Sequence, residues 1–258
     1  MKIGFIQFVP KFGNKKENIA KIKKLVKNNN ADLFVLPEMC TTGYMVASRK
    51  ELISMAESID GPTVQSLIDV ARKNNTCIIF GLPELFGDKV FSTAVVVDPD
   101  GVIAKHQKSH LFLKEKIFFN QGETKPTIFE WRGAKIGLGV CYDYMFPEYW
   151  RVLGLRGVDI FCNTANFVFD YGFKMMQARS IENGVFSITV NRVGVERGQK
   201  FKGGSEIVDN KGNILAKGND TECVKVVEVD PTISRNKKWN EYNDLFKDRR
   251  IDLYKEDY

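Results

Sequence analysis

Three chemically capable side chains end three separate stretches of the chain: Glu38, Lys108 and Cys141. Cys141 closes the apolar run Lys135-Ile-Gly-Leu-Gly-Val-Cys141 and is followed by Tyr142-Asp143 and Phe146-Pro147-Glu148. This pattern predicts a buried strand that stops in a sharp turn, with a helix beginning near Pro147, because proline suits a first helical position. A thiol at such a corner projects toward the free amides of the next helix, as the serine does in the nucleophile elbow of other hydrolases. A buried, inert thiol is the commoner fate of a free cysteine, so the other two segments decide its meaning. Glu38 emerges from Ala31-Asp-Leu-Phe-Val-Leu-Pro37, an apolar run that proline terminates. Strand ends of this kind are where α/β folds build their sites, and partial burial there raises a carboxylate toward the range of a general base. Lys108 ends the alternating stretch Val102-Ile-Ala-Lys-His-Gln, which follows an Asp100-Gly101 hairpin turn. Taken singly, Glu38 reads as a solvated loop residue and Lys108 as a surface cation.

Taken in order, these segments resemble the nitrilase superfamily of carbon–nitrogen hydrolases over essentially the whole chain. Leu36-Pro37-Glu38 is similar to the motif of the catalytic glutamate, Lys108-Ser-His110-Leu-Phe112 to that of the lysine, and Gly139-Val-Cys141-Tyr-Asp143 with Phe146-Pro147-Glu148 to that of the nucleophile. Glu115 with Phe119 and Gly122, Ala178-Arg179-Ser-Ile-Glu182-Asn183 and Asn191-Arg192-Val-Gly194 match further. The tail, Arg235-Asn-Lys-Lys with Asn243-Asp-Leu-Phe-Lys-Asp-Arg-Arg250, is similar to that of small archaeal-type aliphatic nitrilases. Met145 stands where many relatives carry arginine, which weakens any transfer of substrate from the amidase branches.

The resemblance implies a four-layer αββα sandwich and a reaction without cofactor or metal. It assigns Cys141 as nucleophile, Glu38 as the acid–base group and Lys108 as the cation that lowers the thiol pKa below its usual ~8.5. Lys108 and the Tyr142 backbone N–H are the expected oxyanion donors, and Glu115 orients the lysine. The substrate would be a small aliphatic nitrile or amide, hydrolysed through a thioimidate or thioester. An N-carbamoyl amine or an ω-amide is the alternative. Tyr44, Phe118, Phe167 and Tyr171 are candidates to wall the pocket, and Asn166 is placed near its mouth. Arg179 and Glu182, three apart on a helix, are expected to form a structural ion pair at a subunit contact.

The composition fits this reading. The chain has 258 residues, 43% of them hydrophobic and 27% charged, enough for a single domain with a sizeable core. Its +6 charge comes in part from lysines around the first helix, and no aromatics interleave with them. A solvated face is therefore favoured over a nucleic-acid surface, which would show steep salt dependence. The five cysteines are scattered without a Cys-x-x-Cys pair and suggest reduced thiols in a cytoplasmic protein. No apolar run is long enough for a signal peptide or membrane span. His106 and His110 lie four apart in an extended stretch that lacks further ligands, which argues against zinc. A thiol-redox or binding protein on the same scaffold is the rival of a different class; Lys108 and Glu38 would have no part in it.

The elements that must position these groups alternate between strand and helix. Expected strands cover 2–9, 31–36, 77–81, 90–97, 102–106, 127–131, 135–140, 158–163, 186–190, 204–208, 214–216 and 224–229. Expected helices run from an Asn14 cap to about Asn29, over 63–74, from Pro147 onward and over 172–183. After Pro231 the tail is charged and aromatic, with Trp239, Tyr242, Phe246, Tyr254 and Tyr258. It is expected to pack on a partner subunit, giving a homodimer or higher homo-oligomer.

Overall fold

The computed structural model describes residues 1–254; Tyr258, one of the tail aromatics, lies outside the described residues. The first half contains β1 (Lys2–Gln7), α1 (Lys15–Lys27), β2 (Leu33–Val35), α2 (Arg49–Met55), α3 (Pro62–Asn74), β3 (Cys77–Phe86), β4 (Lys89–Val97) and β5 (Val102–Gln107). The second contains α4 (Glu115–Phe118), β6 (Ile128–Trp131), β7 (Ala134–Val140), α5 (Pro147–Leu155), β8 (Ile160–Thr164), α6 (Tyr171–Asn183) and β9 (Phe186–Val190). It continues through β10 (Val193–Glu196), β11 (Gln199–Lys202), β12 (Glu206–Val208), β13 (Ile214–Lys217), β14 (Cys223–Glu228) and α7 (Ile251–Tyr254).

The strands form two six-stranded sheets, ordered β14-β1-β2-β3-β4-β5 and β13-β12-β9-β8-β7-β6, with β10 and β11 as a separate hairpin. Each sheet has a parallel centre, β1-β2-β3 in one and β7-β8-β9 in the other, flanked by antiparallel strands. The pairing pattern along β14 to β5 is repeated along β6 to β13.

Period-two alternation explains the layers. On β2, Leu33 and Val35 face the second sheet and share a core with Ile136, Leu138, Ile160 and Ile188. Their neighbours Phe34 and Leu36 face outward, against Ile22 and Val26 of α1 and Val64, Leu67 and Ala71 of α3. Trp150 and Leu153 of α5 and Phe173 and Met176 of α6 cover the opposite face. The order is helices, sheet, sheet, helices, the αββα sandwich expected from the sequence.

The helix signals were local and hold closely. The Asn14 side chain accepts from the Glu17 amide at the start of α1, and Pro62 occupies the first turn of α3. β3 runs beyond the expected end at Gly81 to Phe86, because β4 pairs with it along its full length. Among the described residues no helix is long and apolar enough to cross a membrane.

Candidate active site

Glu38, Lys108 and Cys141 come from loops at one end of the two sheets, and all three are buried. Glu38 follows β2, where the chain crosses directly over Gly81 of β3. A Cβ on Gly81 would lie 2.4 Å from the Met39 nitrogen and 2.7 Å from the Glu38 Cα. Lys108 follows β5 and is held on both sides by backbone. Its N–H donates to the Ser92 carbonyl at 2.9 Å, and its carbonyl accepts from Gly122 at 2.9 Å. Gly122 also has to be glycine, since a Cβ there would meet the Gln107 oxygen at 2.3 Å. Cys141 follows β7 and opens a 3-10 turn, Cys141–Met145, that precedes α5. Its φ of 46° lies in the left-handed region, a strained conformation for a non-glycine residue and one that clusters at functional sites.

The Lys108 Nζ donates to Glu38 Oε1 at 2.9 Å and to Glu115 Oε1 at 2.8 Å. The second lysine–carboxylate contact makes Glu115 part of the cluster, and the Phe112 N–H donates to its other oxygen at 2.8 Å. Glu38 also accepts from the Ser92 hydroxyl at 3.0 Å and, through Oε2, from the Asn166 side chain at 3.2 Å. Asn166 donates to the Glu38 carbonyl as well, at 2.8 Å, while its own Oδ1 is buried with no hydrogen-bond partner among the described residues. Ser92 had no sequence signal beyond lying in a strand. The Asn163 amide reaches the Cys141 carbonyl at 3.4 Å.

Burial sets the resting protonation. It raises the Glu38 carboxyl above its ordinary value; Lys108 opposes the shift and Glu115 adds to it. Burial alone would lower Lys108, but the negative charges available at Cys141, Glu115 and Glu38 outweigh it and hold the ammonium well above its usual pKa. For Cys141, Lys108 acts in the expected direction but burial outweighs it. Burial raises the thiol well above its usual value, and Lys108 and the Asn166 backbone amide offset that rise only in part because Glu38 and Glu115 push the same way as burial. Burial thus disfavours the thiolate at Cys141, while the Lys108 ammonium beside it favours that form.

Below the turn, Asp143 ties Cys141 to the rest of the fold. It accepts from the Val140 N–H at 2.9 Å and the His110 N–H at 3.0 Å, and pairs with His106 Nε2 at 3.1 Å and His110 Nδ1 at 2.7 Å. Burial opposes ionisation of Asp143, but these hydrogen bonds hold its carboxyl well below the usual range. The two histidines thus serve one carboxylate, a use that their spacing does not reveal.

A hollow of about 20 Å³, room for roughly one water, opens at Cys141. Phe112, Tyr142, Tyr144, Asn166, Phe167, Val168 and Phe169 complete its lining. Of the residues singled out in the sequence, Phe167, Asn166 and Tyr142 are here. Tyr44 sits behind the lysine, its hydroxyl donating to Glu115 Oε1 at 2.6 Å. Phe118 packs in a separate cluster with Leu111 and Phe119, and Tyr171 stacks on Phe169 outside the lining. Arg179 pairs with Glu182 at 3.2 Å and also donates to the Tyr144 carbonyl at 3.4 Å, behind the turn.

A family model described as carbon-nitrogen hydrolase matches residues 2–238. The chain is 40% identical to a nitrilase of Pyrococcus abyssi, over 98% of this chain and 99% of that one. It is 31% identical to an (R)-stereoselective amidase of a Pseudomonas species, over 98% and 93% of the two chains. Among solved structures, an amidase from Nesterenkonia sp. AN1 superposes with a TM-score of 0.84 at 25% identity, covering 100% of both chains; its description records Michael addition of acrylamide at the active-site cysteine.

Proposed function

The chain belongs to the carbon–nitrogen hydrolase family and is a cysteine-dependent hydrolase of carbon–nitrogen bonds, and we propose that it converts a small, uncharged aliphatic nitrile or amide to the carboxylic acid and ammonia. The observation that carries this reading is a buried ammonium bridging two carboxyl groups, close to a thiol, Cys141, that itself lines a hollow whose lining residues are uncharged. A substrate carboxylate would enter that lining without a cation of its own, at a desolvation cost of several kcal/mol. The ω-amide reading is weaker for that reason, although a 2-oxoglutaramate amidase of Bacillus subtilis is 31% identical over 98% of this chain and 98% of that one.

In the proposed reaction Glu38 takes the Cys141 proton as the sulfur attacks the carbonyl carbon. Burial disfavours a free thiolate, so this transfer accompanies the attack. Lys108 and the Tyr142 N–H, which lies in the first positions of the turn and has no earlier carbonyl within it to bond, stabilise the oxyanion. The unpartnered Asn166 Oδ1 accepts an N–H of the amide. Collapse expels the amine, which receives the proton from Glu38, and leaves a thioester. Glu38 then deprotonates a water that cleaves the thioester, releasing the acid and the thiol. A nitrile enters as a thioimidate, whose hydration and loss of ammonia give the same thioester. Glu115 holds Lys108 in place, and no step requires a cofactor.

The test is a panel of small nitriles, neutral amides, carbamoyl amines and ω-amides, with ammonia release measured. Turnover confined to charged substrates would overturn the substrate reading.

We also propose that the enzyme works as a homodimer in the cytoplasm. The free cysteines suit a reducing compartment. The tail lies along α6, where Lys237 donates to the Asn183 and Gly184 carbonyls, yet it leaves Trp239 exposed beside Ile181, and Tyr242 exposed as well. A second copy would cover them. Size-exclusion of a chain ending at Pro231 tests this; an unchanged dimer would refute the tail's role.

A further inference from the structure

Behind the lysine, a second set of buried groups leads away from the reacting atoms. Glu115 Oε1 accepts both the Lys108 ammonium at 2.8 Å and the Tyr44 hydroxyl at 2.6 Å. Tyr44 is itself fixed by its backbone, because one oxygen of Glu196 accepts the Tyr44 N–H at 2.7 Å and the Met45 N–H at 2.6 Å. The other Glu196 oxygen pairs with Arg192, which is fully buried, lies over the Phe201 ring at 4.7 Å and donates to the Pro10 carbonyl at 3.3 Å. Phe201 in turn meets the Tyr44 ring edge-on at 6.2 Å. Gly43 permits this approach: its φ is +85°, and a Cβ there would lie 2.6 Å from Glu196 Oε2.

We propose that Tyr44 is a positioning residue for the hydrolytic reaction, acting through Glu115 on Lys108, and that the Arg192–Glu196 pair of the β10–β11 hairpin holds it there. The inference rests on the proposed hydrolysis by Glu38, Lys108 and Cys141. The Phe112 N–H anchors one Glu115 oxygen, and the Tyr44 hydroxyl, donating beside the Lys108 ammonium, fixes the other. Burial, with Glu115 and Glu38 beside it, pushes the Tyr44 phenol well above its ordinary pKa, so the hydroxyl remains a donor across the working range. Glu115 then holds Lys108 at the point where the oxyanion forms, and transition-state stabilisation is sensitive to that placement. Asn191, next to Arg192, supports the opposite wall, with its Oδ1 accepting the Phe167 N–H at 2.8 Å. The adjacent pair Asn191-Arg192 therefore anchors both flanks of the site.

The test is Tyr44→Phe, which removes one oxygen and keeps the ring, measured on a substrate that the unaltered enzyme hydrolyses. A substrate on which the unaltered enzyme is inactive would count against the proposed function, not against this inference. The expected result is a fall in kcat of roughly ten- to a hundred-fold, the worth of one hydrogen bond to a charged group, with KM changed by less than about threefold. In a Glu115→Gln background the Tyr44→Phe change should have no further effect on the rate of Cys141 alkylation by iodoacetamide. Arg192→Lys, which keeps the charge but loses the fork, should lower kcat in the same direction and serves if the Phe variant does not fold. A raised KM at constant kcat would make Tyr44 a substrate contact and overturn the proposal. Unchanged kinetics, or a full effect without the Glu115 carboxylate, would overturn it as well.

Discussion

Gly81→Ala tests how Glu38 is placed, and the structure sets the size of the effect. The added methyl would lie 2.4 Å from the Met39 nitrogen, 2.7 Å from the Glu38 Cα and 2.8 Å from the Glu38 carbonyl carbon. Non-bonded heavy atoms rest about 3.5 Å apart, so the 38–39 backbone must retreat by roughly 1 Å. All three atoms belong to the main chain, and no side-chain rotation relieves the contact. Overpacking of this kind costs about 1–3 kcal/mol, a fall in melting temperature of roughly 2–6 °C for a chain of this size. The functional cost is larger. Displacing Glu38 breaks its register with Lys108 at 2.9 Å and Ser92 at 3.0 Å, and an error of about 1 Å at a reacting group lowers the rate by ~10²-fold. The assay is kcat/KM for a small amide, alongside a thermal melt. A folded variant with kcat/KM within about threefold of the unaltered enzyme would refute the claim that Glu38 is held to sub-ångström tolerance by this crossing.

Glu38→Gln and Lys108→Ala should each remove nearly all turnover, and the double variant should be no worse than either; additive losses in kcat would show that the groups do not act as a unit. The acid limb of kcat/KM should lie above the ordinary glutamate value of ~4.3, because burial raises Glu38 and the base must be ionised to act; a limb at or below that value would contradict the site's dryness. Asp143→Asn should destabilise the fold by about 1–3 kcal/mol at neutral pH, since a buried acceptor of four contacts is lost. The sign follows from a folded carboxyl held below its unfolded ~3.9: its stabilisation is full above that pH and is lost as pH falls below it, so unfolding titrations of the two proteins should converge in acid.

Much of this architecture was legible because its signals are local. The strand ahead of Cys141, the capping Asn14 and the proline starts of α3 and α5 are each written within a few residues. The left-handed φ of Cys141 matches the sharp turn that its apolar run and Pro147 foretold. Groups that act through tertiary contacts were not legible. Ser92 has no neighbour in sequence that marks it as a partner of Glu38, and Glu196 reaches Tyr44 across 152 positions. The thiol of Cys141 shows the limit of pairwise reasoning. Lys108 was weighed as a cation that lowers it, but the depth of burial and the second carboxylate decide the net direction, and neither is visible before the chain is folded. The hairpin of β10 and β11 was missed because its strands are short and stand apart from both sheets.

The most direct measurement is the mass of the peptide carrying Cys141 after rapid acid quench of the enzyme with a slowly hydrolysed small amide. The account predicts an acyl group on that sulfur, formed and lost at rates compatible with turnover, and neither adduct nor ammonia in Cys141→Ala, whose fold remains intact. Undiminished ammonia release by Cys141→Ala, or an acyl group on any other residue, would contradict it.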